Sequence, residues 1–252
     1  MNQRLEEFFA RHRRAALALS GGLGSVCLLH LATRHHVSLR AYFLKSALCP
    51  ASELHDAEQA ALSAQVPLRV LNHDLLVYPE IAGHGPDFSY QYRLRLFKLI
   101  RRDALEDGFP ELWEGSNQDD ERACVPGLRA VEQLGVLSPL RTAGLSRADI
   151  REDARALKLD VTEKPAAMSL ASRVMNNLPL NQRVLADIEH GEELIRSSGF
   201  KFARLNYYQD HLTIALPEQQ LAEAGGRLEE LRRSLGTVFP GLPLSLTAQE
   251  NS

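Results

Sequence analysis

Apolar residues follow two different spacings along the first two thirds of the chain. Short segments at 15–19, 38–44 and 68–71 are rich in apolar residues, and 111–114 contains an apolar pair; all four have the length of buried strands. Between them lie stretches, such as 90–106, in which apolar residues recur every three or four positions and charges fill the remaining places. Because strands alternate with helices, this pattern predicts a doubly wound α/β fold, in which a parallel sheet carries helices on both faces.

The pattern changes after residue 174. The elements predicted there are a helix over 181–198, strands over 200–208 and 212–216, and a helix over 217–235. This αββα order is typical of a small α+β domain. We therefore predict two domains, the first over 1–174 and the smaller second one over 175–252.

The composition is that of an ordinary globular protein, with 252 residues of which 44% are apolar and 24% charged. No apolar run approaches the roughly 18 residues that cross a bilayer, and residues 1–14 lack the apolar stretch of a secretory signal. We therefore expect a cytoplasmic protein with no membrane partner. Three scattered cysteines indicate reduced thiols, and the net charge of −3 gives no general attraction for nucleic acid.

The sequence SGGLGS at residues 20–25 separates the first predicted strand from the helix that follows it. Gly21 and Gly22 can adopt backbone angles closed to other residues, and their amides can wrap around an anion because no side chains intervene. The following helix adds the positive end of its dipole. This stretch is suited to phosphate binding. The alternative is an ordinary turn between strand and helix, which also uses serine and glycine.

A second polar loop, GSNQDDERACVPG, follows the strand predicted at 111–114. Open parallel sheets place their ligands at the carboxyl ends of the strands, which is where this loop begins. Asn117, Asp119 and Asp120 carry the amide and carboxylate oxygens suited to a nucleotide or a magnesium ion. The alternative is that the two aspartates only form the turn.

Further motifs follow in order, namely PGLRAVEQLGVLSPL, AGLSRADIR and KPAAMSLASR. Together with SGGLGS and EGSNQDD, they resemble the PP-loop ATP pyrophosphatase superfamily, and more narrowly its LarE family of ATP-dependent sulfur transferases. The resemblance extends over nearly the whole chain. It implies an adenine nucleotide alpha hydrolase-like fold for residues 1–174, and a role in substrate binding or oligomerisation for residues 175–252.

The resemblance also implies a chemistry. Enzymes of this family bind ATP with its pyrophosphate in the glycine loop, transfer AMP to a substrate carboxylate, and let sulfur displace the AMP. In the LarE family the substrate is a pyridinium dicarboxylate mononucleotide. Magnesium and the loop amides carry the phosphate charge that develops during adenylation. The cofactors implied are therefore ATP and Mg²⁺, and the implied partners are a small-molecule carboxylate or nucleotide and further copies of this chain.

Matching the motifs residue by residue gives the site that the resemblance implies. The nucleotide-binding residues are Ser20, Gly21, Gly22, Gly24, Ser25, Asn117, Asp119, Asp120 and Arg204. The catalytic residues are Ser169, Ser172, Arg173 and Cys124. The metal ligands are Glu189 and Glu192.

Two positions depart from the family pattern. Gly24 stands where the family has an aspartate, which can cap the helix or hold magnesium through water. Ser169 stands where the sacrificial members have a cysteine that gives up its own sulfur, and a hydroxyl cannot supply sulfur. We therefore expect sulfur to come from an external donor, such as sulfide or a persulfide. Cys124, in the second polar loop, is a candidate persulfide carrier.

Three functions remain open at this point. The first is a LarE-like sulfur transferase that uses an external donor. The second is an amide-forming PP-loop ligase with ammonia or an amine as nucleophile. The third is a nucleotide-binding module that has lost catalysis. Gly24 favours the module, whereas Asn117, Asp119, Asp120, Ser172 and Arg173 favour the two enzymes.

Overall fold

A computed structural model describes residues 2–120, 125–163 and 168–249, and the side chains of 125 and 163 are not described. The chain divides into two compact units. The first consists of Met1–Ser46, Ala51–Asp74 and Asp87–Ala167. The second consists of Ala47–Pro50, Leu75–Pro86 and Met168–Ser252. The domain boundary at residue 174 stays a prediction.

The first unit contains the parallel sheet that the sequence predicts. Its strands are β1 (Arg14–Ala18), β2 (Ser38–Lys45), β3 (Leu68–Asn72) and β4 (Leu112–Trp113). They are parallel throughout and lie in the order β3-β2-β1-β4. A single parallel bridge from Trp113 to Leu137 continues the sheet past β4. The α/β fold class is thereby confirmed.

Helices connect these strands. They are α1 (Gln3–Arg11), α2 (Leu23–Arg34), α3 (Ala51–Ser63), α4 (Phe88–Glu106), α5 (Val125–Gln133) and α6 (Arg147–Ala156). Short helical segments cover Pro139–Thr142 and Asp160–Glu163. Helix α2 is apolar on nearly all sides, which is typical of a buried helix. Its Leu28 and Leu29 are fully inaccessible to solvent. None of the described helices is long and apolar enough to cross a membrane.

The strand order creates a switch point beside β1. The chain moves from β1 through β2 to β3 on one side and then returns to place β4 on the other side of β1. Connections that leave in opposite directions open a crevice at the carboxyl ends of the two strands, where ligands of such folds bind. The glycine loop follows β1 and the second polar loop follows β4. Both predicted motifs therefore begin at this edge of the sheet.

The second unit is built around a three-stranded mixed sheet. Its elements are α7 (Gln182–Ser197), β5 (Arg204–Tyr207), β6 (Leu212–Leu216), α8 (Glu218–Gly226), α9 (Leu228–Leu235) and β7 (Leu244–Ala248). Strands β5 and β6 are antiparallel, and β6 pairs in parallel with β7. Short helical segments cover Leu75–Val77, Pro79–Ala82 and Leu170–Arg173. The α+β character of this part of the chain is confirmed.

Three details of the second unit differ from the sequence-based expectations. Strand β5 begins at Arg204 instead of residue 200, because Gly199 and Phe202 have φ angles of 99° and 62°, which no strand accommodates. The helix predicted over 217–235 is two helices, α8 and α9, which meet at Arg227 just after Gly226. Strand β7 was not predicted.

Candidate functional site

Two serine hydroxyls close the glycine loop that follows β1. Ser25 is buried, and its Oγ donates to the carbonyl of Gly22 over 3.1 Å and accepts from the N–H of Ser20 over 3.2 Å. The hydroxyls of Ser20 and Ser25 share a further hydrogen bond of 3.1 Å. This hydroxyl pair sets the curvature of the loop, because it joins the last residue of the loop to the first.

The first turn of α2 has no side-chain cap for its backbone N–H groups. The N-cap residue, Gly22, makes no side-chain capping bond, and the first turn of α2 contains no acidic residue. The first N–H groups of a helix have no partner within the helix, and the dipole gives this end partial positive charge. Phosphate oxygens are suitable partners for such a helix start. The predicted phosphate-binding residues therefore lie at the switch point, around an uncapped helix start.

Gly21 is required by its surroundings as well as by its conformation. Its φ angle is 75°, in the left-handed region, and a Cβ at this position would lie about 2.5 Å from the carbonyl oxygen of Glu53. Real Cβ atoms do not approach heavy atoms closer than 3.0 Å. The glycine loop therefore packs with its bare backbone against the start of α3.

Gly24 makes a second backbone contact, with Gly115 of the loop after β4. A Cβ on Gly24 would overlap the carbonyl oxygen of Gly115, and a Cβ on Gly115 would overlap the backbone of Ser25. The first turn of α2 and the loop after β4 thus meet backbone to backbone. The residue that departs from the family pattern is therefore one half of a contact between two glycines.

The second polar loop is held by its own side chains. Asn117 is buried, and its Oδ1 accepts the N–H of Asp119 over 2.8 Å, while Oδ2 of Asp120 accepts the N–H of Asn117 over 2.9 Å. Oδ2 of Asp119 accepts the N–H of Arg147 over 2.7 Å, at the start of α6. Each aspartate therefore shapes the turn, as the alternative interpretation holds, and these bonds use only its Oδ2 atom. The ligand roles of these residues stay predictions.

Ser169 is engaged as a structural hydroxyl in the second unit. Its Oγ donates to the carbonyl of Leu48 over 3.1 Å and accepts the N–H of Ala171 over 3.2 Å, so it caps the turn Leu170–Arg173. Ser172 is exposed, and its hydroxyl donates to the carbonyl of Ser169 over 2.8 Å. No described base activates Ser169 in this arrangement, because its proton already points to a carbonyl oxygen.

Arg173 is buried and paired with Glu192. Its Nε donates to Oε1 of Glu192 over 3.0 Å, and its Nη1 donates to the carbonyl of Met168 and to the hydroxyl of Ser172 over 3.0 and 2.9 Å. The same Oε1 atom accepts the N–H of Leu205 over 3.1 Å. The bonds found for the guanidinium within the described residues leave Nη2 for an anion.

Glu192 thus has a structural role, and its predicted role as a metal ligand stays untested. Within residues 2–120, 125–163 and 168–249, no group of three or more histidine, cysteine, aspartate or glutamate side chains is placed to hold a metal ion. Glu189 lies one turn earlier on α7, and Arg204 is the first residue of β5. Magnesium is commonly held by one or two carboxylates together with substrate phosphates, so a ready-made cage is not required.

The cysteines occupy different environments. Cys124, the proposed persulfide carrier, lies outside the described residues. Cys27 is a core residue of α2, and burial raises the pKa of its thiol to about 12, with a smaller contribution from Asp153. Such a thiol is protonated at neutral pH and unreactive. Cys49 is half-buried and forms no disulfide.

Sequence reasoning overlooked one residue of this region, Glu114. It is the last residue before Gly115, and its side chain is almost fully buried among polar partners. The signal was present in the sequence, because an acidic residue directly follows the apolar pair of β4.

The parallel sheet, its switch point and the two loops define an α/β protein of the PP-loop type. Over 239 residues, 92% of this chain and 86% of the relative, it is 27% identical to the pyridinium-3,5-bisthiocarboxylic acid mononucleotide synthase of Lactiplantibacillus plantarum. This similarity confirms the resemblance to the LarE family that the motifs indicate.

Two further relatives have no assigned activity. An uncharacterized protein of Synechocystis sp. is 26% identical over 96% of this chain and 92% of the relative. An uncharacterized protein of Methanocaldococcus jannaschii is 25% identical over 92% of this chain and 88% of the relative. No family model matches the chain.

Proposed function

We propose that this protein is an ATP-dependent sulfur transferase of the LarE type, which adenylates a substrate carboxylate and takes sulfur from an external donor. One observation carries the proposal. The chain is similar over nearly its whole length to a synthase that makes a thiocarboxylate. The position of its glycine loop at the switch point of the sheet agrees with the same function. The substrate that we propose is a pyridinium carboxylate mononucleotide.

The residues at the switch point fit a nucleotide phosphate. The start of α2 offers N–H groups without a side-chain cap, and its first turn has no carboxylate to repel an anion. The buried glycine at position 21 leaves no room for a side chain between the loop and α3. We therefore assign the phosphate group to Ser20, Gly21, Gly22, Gly24 and Ser25.

When bound, ATP supplies the AMP that turns a carboxylate oxygen into a leaving group, which a sulfur nucleophile then displaces. In our proposal the N–H groups at the start of α2 bind and orient the phosphates. Oδ1 of Asp119 and of Asp120 would hold Mg²⁺, because the hydrogen bonds found among the described residues occupy Oδ2. Asn117 fixes the turn that carries both aspartates.

In the second unit, Arg173 would bind the phosphate or carboxylate of the substrate through Nη2. Its other nitrogens are already fixed by Glu192 and by backbone and hydroxyl oxygens, so the side chain is preorganised. We assign substrate binding also to Ser172 and Arg204, and we keep Glu189 as a metal ligand. A homo-oligomer is part of the proposal.

An external sulfur donor follows from Ser169. Its hydroxyl contains no sulfur, and it is hydrogen bonded to the carbonyl of Leu48. With sulfide as donor, the sulfur adds to the activated carbonyl carbon, the C–O bond to AMP breaks, and a thiocarboxylate, AMP and a proton result. Cys124 is retained as the candidate carrier when the donor is a persulfide.

The direct test incubates the protein with MgATP, sulfide and pyridinium-3,5-dicarboxylic acid mononucleotide. We expect pyrophosphate and AMP in equal amounts, together with a product in which sulfur replaces oxygen by mass spectrometry. An amide product formed with ammonia in place of sulfide would establish the ligase instead. ATP binding without any pyrophosphate release would establish the nucleotide-binding module.

A cysteine at position 169 should restore the sacrificial reaction. We expect Ser169→Cys to transfer about one sulfur per chain without an added donor and then to stop, because its own thiol is consumed. The measurement is single-turnover product analysis with intact-protein mass. Met168→Cys places a thiol on the neighbouring exposed residue and should transfer none. Equal yields from the two variants would contradict the assignment of position 169.

A further inference from the structure

Glu114 is a buried carboxylate that the proposed chemistry does not use. It follows Trp113, the last residue of β4, and only 6% of its surface is exposed. A carboxylate is seldom buried to this degree unless partners satisfy it, because its removal from water is costly. Its surroundings therefore show what it contributes to the loop that follows.

Among the described residues, three hydrogen bonds end on this carboxylate. Oε2 accepts the N–H of Ser116 over 3.1 Å and the hydroxyl of Ser116 over 2.6 Å. Oε1 accepts the hydroxyl of Ser138, at the end of the segment that bridges to Trp113. Arg93 of α4 lies near the same group, with its Nη1 3.9 Å from Oε2 and 3.4 Å from the hydroxyl of Ser116.

These bonds fix the residue that contacts α2. Gly115 lies between Glu114 and Ser116, so anchoring both the N–H and the hydroxyl of Ser116 holds Gly115 in place. The carbonyl of Gly115 is the group that abuts Gly24 at the start of α2. The carbonyl of Ser116 in turn accepts the N–H of Arg141 over 3.2 Å, which secures the far side of the loop.

We infer that Glu114 is a positioning residue that holds the loop after β4 against the start of α2, and so keeps the two nucleotide motifs in their relative positions. This inference rests on the proposed function, since the ligand of both motifs is MgATP. Glu114 would not touch the nucleotide. It would set the affinity for it through Gly115 and Ser116.

The test compares wild type with Glu114→Gln. Glutamine keeps the shape and can still accept from Ser116, but it lacks the charge that strengthens all three bonds. We expect the dissociation constant of MgATP, measured by calorimetry, to rise about tenfold. Hydrogen exchange at the amide of Ser116 should become faster in the absence of nucleotide, because that amide bonds directly to Glu114.

A matched control lies on the other side of β4. Glu111 accepts hydrogen bonds from His12 and Trp113 and is more exposed. Glu111→Gln should lower the melting temperature without changing the affinity for MgATP, which separates loss of stability from loss of loop position.

If Glu114→Gln does not fold, Ser138→Ala removes a single hydrogen-bond donor to Glu114 and should weaken MgATP binding about threefold.

The outcomes distinguish the inference from the proposed function. If wild type binds MgATP and Glu114→Gln binds it equally well, with unchanged exchange at Ser116, the inference is wrong and the proposed function stands. If wild type does not bind MgATP, the proposed function fails and Glu114 has no nucleotide to position. In that case, faster hydrogen exchange at the Ser116 amide of Glu114→Gln would show that Glu114 only stabilises the loop after β4.

Discussion

At the scale of single residues, the structure gives Gly24 a packing role that the sequence does not show. From the sequence it is an aspartate missing from a catalytic pattern. In the structure it is a residue whose Cβ position is occupied by the carbonyl oxygen of Gly115. A side chain here would have to displace backbone, which is costly because backbone has no alternative rotamer to adopt. The close approach of Gly115 thus requires a glycine at position 24.

Restoring the family aspartate should therefore harm this protein. We expect both Gly24→Ala and Gly24→Asp to lower the free energy of unfolding by about 1–3 kcal/mol, the usual cost of overpacking. The measurement is urea denaturation. Gly225→Ala is the control, because a Cβ on Gly225 has no neighbour within 4 Å. A Gly24→Asp variant that is as stable as wild type would show that the two loops separate easily.

The pair of Arg173 and Glu192 allows a similar test in the second unit. Removing one partner of a buried ion pair leaves the other charge uncompensated, so Glu192→Ala should lower the free energy of unfolding by about 3 kcal/mol. The N–H of Leu205 also loses its acceptor. Glu193→Ala, which removes an exposed ion pair with Arg196 on the same helix, should cost less than about 1 kcal/mol.

Both losses of unfolding free energy should be measured by urea denaturation without added metal. If Glu192→Ala were as stable as Glu193→Ala, the carboxylate would be free for the metal that the family resemblance assigns to it. A large loss shows instead that Glu192 is needed to hold Arg173.

At the scale of elements, apolar spacing predicted the four strands of the first unit and the long helix α4. Strand β7 shows what was missed, although Leu244 and Leu246 alternate with polar Ser245 and Thr247. The segment is short, and within the described part of the chain it pairs with β6, far away in the sequence. Local spacing cannot reveal such pairing, because the stabilising contacts are tertiary.

For the candidate site, too, the sequence predicted local features but not contacts between distant residues. Glycine and serine spacing located the phosphate loop because that loop is defined by local backbone conformation. The hydrogen bond from the N–H of Arg147 to Asp119, and that from the hydroxyl of Ser138 to Glu114, join residues far apart in the chain. No motif records such contacts, so the structural roles of these two carboxylates had to come from the fold.

At the start of α6, a serine lies three residues before an aspartate, which is the spacing of a capping box. Ser146 and Asp149 form a capping box, in which the Ser146 hydroxyl lowers the pKa of Asp149. We expect Ser146→Ala to lower the free energy of unfolding by about 1 kcal/mol, the typical value of an N-cap. Ser197→Ala, an exposed serine in the last turn of α7, should have no measurable effect in the same urea denaturation.

At the scale of the whole molecule, one charge cluster ties the parallel sheet to the helix that covers it. Asp107, just past α4, accepts bonds from the hydroxyl of Tyr42 over 2.7 Å and from Arg69 over 2.9 Å, and Arg40 pairs with the same oxygen over 2.9 Å. Tyr42 and Arg40 come from β2 and Arg69 comes from β3. The cluster therefore joins two strands to the helix.

Through this cluster, Asp107 contributes to the stability of the fold against acid. The Tyr42 hydroxyl, followed by Arg69 and Arg40, lowers the pKa of Asp107 from 3.8 to about 2. A depressed folded-state pKa means that the ionised group stabilises the fold above about pH 4, and that this contribution disappears as the pH falls toward about 2. We expect Asp107→Asn to melt at a lower temperature than wild type at pH 7.

The difference in melting temperature between wild type and Asp107→Asn should shrink between pH 4 and pH 2, because protonation removes from wild type the same charge that the substitution removes. Glu106→Gln changes an exposed carboxylate at the end of the same helix, and it should follow wild type at every pH. A gap between wild type and Asp107→Asn that stays constant from pH 7 to pH 2 would mean that shape, and not charge, holds β2 and β3 to α4.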